Sequence, residues 1–282
     1  MKTVVFVIIS VGMSDYLEPM IQTIRGSYPL ILVDNSDDAL LSPLSKKYEI
    51  YYIHEMTKGV SAARNAGSEL AKLYDYIFFL DDDLELIDGW KETLEKILVD
   101  EKEYDCVGGR VIAKYDKNIR VPEKYSYLVG EKNLGNQEKK VVQDYIGGCN
   151  LLIRKKLFFE VGKFNTNFGH RNGKIGLNED VLFQDTIRKK RFEVLYMPEF
   201  RFIHHWNGTE QMLFTRIRLQ GNYDRQLDLR INKIRFFLRI IKYLVFLCGY
   251  QLFLKNRHVI VYMYDFMRYY EYIFNYKNSV AE

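Results

Sequence analysis

The sequence predicts an α/β fold built on a doubly wound sheet, and three observations carry that expectation. Short apolar runs at residues 3–9, 30–34, 50–54 and 76–80 alternate with polar turns and stretches of helical spacing, the pattern of strands and helices around a parallel sheet. The runs at 3–9 and 76–80 are apolar enough to read as buried strands. The residues just past the strand ends are polar: Asp34-Asn35-Ser36-Asp37, His54-Glu55 and Asp81-Asp82-Asp83. Ligands of such sheets sit beyond the carboxyl ends of the strands, so those positions are the first to inspect.

The intervening elements follow in order. Ser14 can cap a helix whose Leu17, Met20, Ile21 and Ile24 share one face, and Gly26 can end it. Ser42 before Pro43 offers a second helix start, because proline suits the first helical turn. A third helix is expected from about residue 61 to 73, and a fourth from Asp88 carrying Trp90, Leu94, Ile97 and Leu98. Beyond residue 112 the pattern loosens into a Lys-, Asn- and Gly-rich stretch that predicts a mobile surface excursion to about residue 140, with order resuming at Val141.

The bulk properties narrow the class. A chain of 282 residues suits one large domain with a C-terminal appendage. A net charge of +4 is too weak a single-sign field to imply nucleic acid as the main partner. Cys106, Cys149 and Cys248 are odd in number and widely spaced, which argues against a disulfide framework or a zinc cluster and points to a reducing cytosol. The first apolar run is short and lacks a following small-residue cleavage site, so it reads as a strand and not as a leader.

Packing alone gives no reason for three carboxylates in a row at the end of a buried strand. Asp81, Asp82 and Asp83 supply hard oxygen donors, which suit Mg2+ or Mn2+ held jointly with the oxygens of a substrate diphosphate. A solvated acidic loop is the plainer alternative. Two further segments add to the case: Lys58-Gly59-Val60-Ser61-Ala62-Ala63-Arg64-Asn65-Ala66-Gly67, and Gly147-Gly148-Cys149-Asn150 through Arg154 followed by Val161-Gly162-Lys163-Phe164. With these the chain resembles the family 2 glycosyltransferases, which have the GT-A fold and a DxD motif after a strand.

That resemblance implies a mixed, doubly wound sheet with a Rossmann-like nucleotide half and an acceptor half, followed by a helical C-terminal extension. The expected boundaries are residues 1–210 for the catalytic domain, divided into a nucleotide-sugar half at 1–112 and an acceptor half at 141–210, with the extension at 211–282. It implies metal contact for Asp83, ribose or metal-shell roles for Asp81 and Asp82, and nucleotide contact for Asp34, Asn35, Lys58, Gly59 and Arg64. Asn178-Glu179-Asp180 resembles the family's Glu-Asp motif, which makes Asp180 the expected catalytic base and Glu179 an acceptor-binding or loop-holding residue. His204-His205-Trp206-Asn207-Gly208-Thr209 resembles a segment with a histidine near the metal, and the doublet leaves both His204 and His205 as candidates. One departure is Asn165, where the family usually has Asp.

The implied reaction is inverting transfer of a sugar from a nucleotide-diphosphate sugar, a UDP-sugar ahead of a dTDP- or GDP-sugar, to a hydroxyl of a glycan or lipid-linked acceptor, with Mn2+ or Mg2+ as cofactor. Such a role belongs to cell-surface polysaccharide or glycoconjugate synthesis. A nucleotidyltransferase of related fold would want a Gly-rich, basic loop after the first strand, and residues 10–15 offer none. A non-catalytic nucleotide-sugar-binding subunit would have lost the Asp run or the Glu-Asp pair, and both are intact.

The tail is apolar from Ile234 through Leu247 but interrupted by Arg239 and Lys242. Its apolar stretch is shorter than the roughly 18 residues of a spanning helix, and basic amphipathic segments lie in the membrane interface. The expectation is a cytoplasmic protein peripheral on the inner face of the cell membrane. A homodimer or a packed helix pair through the same segment is the alternative.

Overall fold

The computed structural model describes residues 2–171, 174–231, 238, 241 and 259–274. Strands β1 (Val4–Ser10), β2 (Leu30–Asp34), β3 (Tyr51–His54) and β4 (Tyr76–Asp81) are mutually parallel in the spatial order β3-β2-β1-β4. The sheet then reverses. β8 (Asn150–Arg154) is antiparallel to β4 and β6 (Cys106–Lys114) is antiparallel to β8, while β9 (Val194–His205) runs parallel to β6 and antiparallel to β5 (Leu84–Leu86) and to the two-residue β7 (Lys139–Lys140). The result is a mixed sheet whose strand direction changes beside β4, at whose end the Asp run begins.

Both faces are covered, which explains why every residue of β1 and β2 is buried. Phe6 and Ile8 face one core with Leu17, Met20, Ile21 and Ile24 of α1 (Leu17–Ile24), Leu44 and Tyr48 of α2 (Ser42–Tyr48) and Trp90, Leu94 and Ile97 of α4 (Trp90–Val99). Val5, Val7 and Ile9 face the other, with Ala63 of α3 (Val60–Leu70), Phe158 of α5 (Lys155–Val161) and Phe183 and Ile187 of α6 (Glu179–Lys189). Alternation along one strand thus feeds two cores. Helix α3 lies so near the sheet that a Cβ on Gly67 would stand 2.3 Å from Val7 Cγ1, which is what the small residues of that segment permit.

The expected strands fall within a residue of those observed. Helix α1 begins at Leu17 behind Tyr16, with the Ser14 Oγ accepting from the Tyr16 N–H, so Ser14 holds the approach to the helix and does not cap it. Helix α3 gives way to a 3-10 turn at Ala71–Leu73. The expected surface excursion after residue 112 needs correction. It contains a 3-10 helix at Glu123–Val129, with Tyr125, Leu128 and Val129 buried, and a bridge from Lys132 to Val111. Its apolar residues are too sparse to show a period, so only tertiary packing orders it.

The chain divides into two compact units: Met1–Tyr115 with Val129–Lys174 and Asn178–Asn207, and Asp116–Leu128 with Ile175–Leu177 and Gly208–Glu282. The first holds the sheet. In the second, α7 (Glu210–Ile231) packs on the last described helix, Val259–Phe274, so closely that a Cβ on Gly221 would meet the Arg268 carbonyl oxygen at 2.1 Å. Arg268 Nε donates to Asp224 at 2.9 Å, Lys124 donates to Asp265 at 2.6 Å, and the Tyr264 hydroxyl donates to the Arg120 carbonyl at 2.9 Å. No described helix is long and apolar enough to cross a membrane. Most of the basic, apolar stretch from Ile234 to Leu247 lies outside the described residues.

Candidate active site

The ends of β1, β2, β4 and β9 and the helices α3 and α6 build the site in the first unit. β2 delivers Asp34 and Asn35. Asp34 is fully buried, and its oxygens accept from the Ser36 N–H at 2.9 Å, the Leu41 N–H at 2.8 Å and the Tyr52 hydroxyl at 2.9 Å. Burial works against its charge, but those donors hold its carboxyl below the ordinary range. Asn35 spans to the next loop: its amide donates to the carbonyls of Glu55 at 2.6 Å and Thr57 at 3.0 Å and accepts from the Gly59 N–H at 2.8 Å. Lys58 closes the same loop on the Asn35 carbonyl and on Asp37, each at 2.9 Å. Gly59 has φ of +139°, a conformation that side chains rarely adopt.

The Asp run starts at the end of β4. Arg64 of α3, 1% exposed, reaches it from below: Nη2 donates to Asp81 at 2.8 Å and Nη1 to Glu179 at 3.0 Å, with the guanidinium over the Phe164 ring. Burial opposes the charge on Arg64, and Asp81 and Glu179 outweigh it, so its pKa lies above the usual arginine value. Both terminal nitrogens of Arg64 are thus engaged by carboxylates of the protein, while its Nε is buried without a hydrogen-bond partner. The side chain fastens the end of β4 to the start of α6, and Glu179 and Asp81 are the carboxylates it holds.

Asp82 turns to the Ser10 hydroxyl at the end of β1, and burial with repulsion from Asp83 and Asp81 raises its pKa to about 7. Asp83 is differently placed. One of its oxygens, Oδ1, is buried without a hydrogen-bond partner, while Oδ2 lies 3.3 Å from Nε2 of His204. The other His204 nitrogen, Nδ1, meets the Val129 carbonyl at 3.0 Å. His205 points elsewhere, because neighbours in a strand face opposite ways: it stacks on Tyr16 at 3.6 Å and meets Glu85 at 3.0 Å. Trp206 is 4% exposed and packs in the interior.

Asp180, in the first turn of α6, packs on the Gly147–Gly148 turn: a Cβ on Gly148 would stand 2.6 Å from its Oδ2. Its Oδ1 accepts from the Val181 N–H at 2.9 Å. Burial and the adjacent Glu179 raise its pKa, while Arg64, the Val181 N–H and Lys132 restrain the rise. A carboxylate so placed can accept a proton near neutral pH.

The donor set is compatible with a hard divalent ion. Asp83 offers an unsatisfied buried oxygen, and His204 presents Nε2 beside it with Nδ1 anchored on a carbonyl, the outer contact that orients an imidazole ligand. Among the described residues no group of three or more His, Cys, Asp or Glu side chains could hold an ion unaided. An ion there needs oxygens from a ligand, as Mg2+-type sites commonly do.

Sequence reasoning passed over Gly130 and Lys132, and it named Asn150, whose buried amide has no partner, only as part of the Gly147–Arg154 segment. Gly130 adopts a φ of +95°, and a Cβ there would collide with His204 Nδ1 at 2.3 Å. Only the Lys-, Asn- and Gly-rich composition was visible around the first two.

A mixed nucleotide-type sheet with a carboxylate run at its central edge defines a class. The fold is shared with GT-A glycosyltransferases of known structure. One is GalNAc-T7 with UDP, GalNAc and Mn2+, at TM-score 0.57 and 14% identity, over 96% of this chain and 56% of that one. Another is a mannosyltransferase from Pyrobaculum calidifontis in complex with GDP-Man and Mn2+, at TM-score 0.61 and 12% identity, over 98% and 88%. Residues 6–158 match glycosyl transferase family 2, and the chain belongs to that family. A curated relative, the glucosyl-dolichyl phosphate glucuronosyltransferase of Haloferax volcanii, is 30% identical over 129 residues, which span 44% of this chain and 40% of that protein.

Proposed function

We propose that the protein is an inverting, metal-dependent glycosyltransferase that moves a sugar from a nucleotide-diphosphate sugar to a hydroxyl on a glycan or lipid-linked acceptor. The observation that carries this reading is the buried Arg64 clamp, which sets the Asp81–Asp83 run and the Glu179–Asp180 pair on a common support. Family membership favours it over a nucleotidyltransferase or a binding subunit.

In this reading Asp34, Asn35, Lys58 and Gly59 frame the nucleoside, and Asp81 and Asp82 shape the wall beside the ribose and diphosphate. Asp83 and His204 would hold Mn2+ or Mg2+, which when bound neutralises charge on the departing diphosphate. His205, turned to Glu85, supports the strand end. Asp180 takes the proton of the acceptor hydroxyl as that oxygen attacks the anomeric carbon opposite the leaving group, so one displacement inverts the centre. UDP- and GDP-sugars are the donors to try first, because the similar solved transferases hold UDP and GDP-Man. The dolichyl phosphate in the relative's name supports a lipid-linked acceptor and, with the basic apolar segment at Ile234–Leu247, attachment to the inner face of the cell membrane.

The test is calorimetry of the full chain with UDP- and GDP-sugars, with and without Mn2+, followed by transfer assays read by anomeric proton couplings. Metal-dependent binding of one donor and an inverted product are expected. A retained anomeric configuration would contradict the mechanism, and the absence of binding would contradict the function.

A further inference from the structure

The segment from Val129 to Lys132 is pinned along β6 and β9 without belonging to any recognised motif. The Val129 carbonyl meets His204, Glu131 accepts from the Ala113 N–H at 2.7 Å, and Lys132 exchanges two backbone hydrogen bonds with Val111, each 2.9 Å. The antiparallel bridge sets Lys132 directly opposite Val111, so the two side chains leave the pair on the same face. Gly147 connects this wall to the catalytic carboxylate. A Cβ on it would lie 3.4 Å from both Val111 Cγ2 and Asn150 Oδ1, and its neighbour Gly148 backs Asp180.

Lys132 is half-buried, and it makes no ion pair among the described residues. Burial lowers its pKa, and the carboxylate that most opposes that drop is Asp180, with Asp144 next. Lys132 in turn acts on Asp180. A partly desolvated ammonium without a paired carboxylate is costly to keep. A group serving only to keep Asp180 ionised would be expected in direct contact with it. Beside Gly147, the Asn150 amide at the start of β8, opposite Leu80 of β4, is buried and unpartnered.

Resting on the transferase reading, we propose that Lys132 forms an oxyanion subsite on the acceptor side, binding a phosphate or carboxylate carried next to the sugar hydroxyl that Asp180 deprotonates. Charge-assisted contact with such a group would select acidic acceptors over neutral ones.

The experiment uses the full chain saturated with Mn2+ and whichever of UDP or GDP it binds. α-D-Glucose 1-phosphate, methyl α-D-glucuronide and methyl α-D-glucoside are then titrated by calorimetry. An anionic probe is expected to bind at least about tenfold more tightly than the neutral glucoside. Lys132→Gln should abolish that preference with nucleotide affinity unchanged, and Lys132→Arg should keep most of it. Preference for the phosphate assigns the subsite to a sugar phosphate, and preference for the glucuronide assigns it to an acidic glycan. Equal binding of the neutral glucoside, no binding of either anion, or an unchanged preference in Lys132→Gln overturns the proposal. Lost nucleotide affinity in Lys132→Gln moves the lysine to the donor diphosphate and overturns the acceptor assignment. If wild type binds neither nucleotide with Mn2+, the transferase reading itself fails, and this subsite with it.

Discussion

The two halves of the site differ in how their polar atoms are used. Around Asp34, Asn35 and Gly59 the side-chain groups are spent on the protein itself: Asp34 has three donors, and the Asn35 amide joins two loops. Around Asp83, Asp180, Lys132 and Asn150 they are not. Asp83 Oδ1 and both Asn150 amide atoms are buried without partners, and Asp180 is held above its ordinary pKa. Unsatisfied buried groups are costly in a folded chain, so their concentration on one side marks where ligand chemistry is expected. The first half is a finished frame, and the second is a set of groups poised for partners. Arg64 clamps the second half together.

Asp180→Asn should produce the largest effect, because it removes the proposed proton acceptor without altering the shape of the turn. Turnover is expected to fall by about 10²–10⁴ while donor affinity stays within about twofold. Retained turnover would take Asp180 out of the mechanism.

The clamp that holds the second half together is next. Arg64→Ala leaves Asp81 and Glu179 without their cation, and breaking a buried pair in this way costs about 3–5 kcal/mol, readable as a shift in urea midpoint. A loss below about 1 kcal/mol would show that the end of β4 and the start of α6 do not depend on the clamp.

The pH profile sharpens the contrast further. Because folding raises the Asp180 pKa, the base is protonated and idle below it and active above it. The kcat/KM of wild type should therefore fall on the acid side at a pH above the ordinary carboxylate range. An acid limb near pH 4 would mean that Asp180 is not the titrating base.

The smallest effect belongs to the frame. Tyr52→Phe removes one of three donors to Asp34 and should cost about 0.5–1.5 kcal/mol with little change in turnover. A collapse of donor binding would show that the frame is less self-sufficient than its hydrogen bonds indicate.

Much of this was legible in the sequence, for physical reasons that can be traced to particular residues. The buried strands betray themselves by unbroken apolar runs, and the Asp run stands out because packing alone gives no reason for three adjacent carboxylates. Arg64 stands out in the sequence as a nucleotide contact, but its partner Glu179 lies 115 positions away and only the fold brings it near. The His204–His205 doublet could not be divided by composition; the strand separates the two by turning them to opposite sides. Lys132 and Gly130 were invisible because their segment has no period, and their placement depends on Val111 and His204 in distant strands.

The central claim is that Asp83 joins a divalent ion to the donor diphosphate. It is tested most directly by calorimetric titration of the preferred nucleotide sugar into wild type and Asp83→Ala, each with and without Mn2+. The expected result is that Mn2+ strengthens binding to wild type, while Asp83→Ala binds with Mn2+ no better than wild type does without it. An Mn2+-dependent gain of equal size in Asp83→Ala would contradict the account.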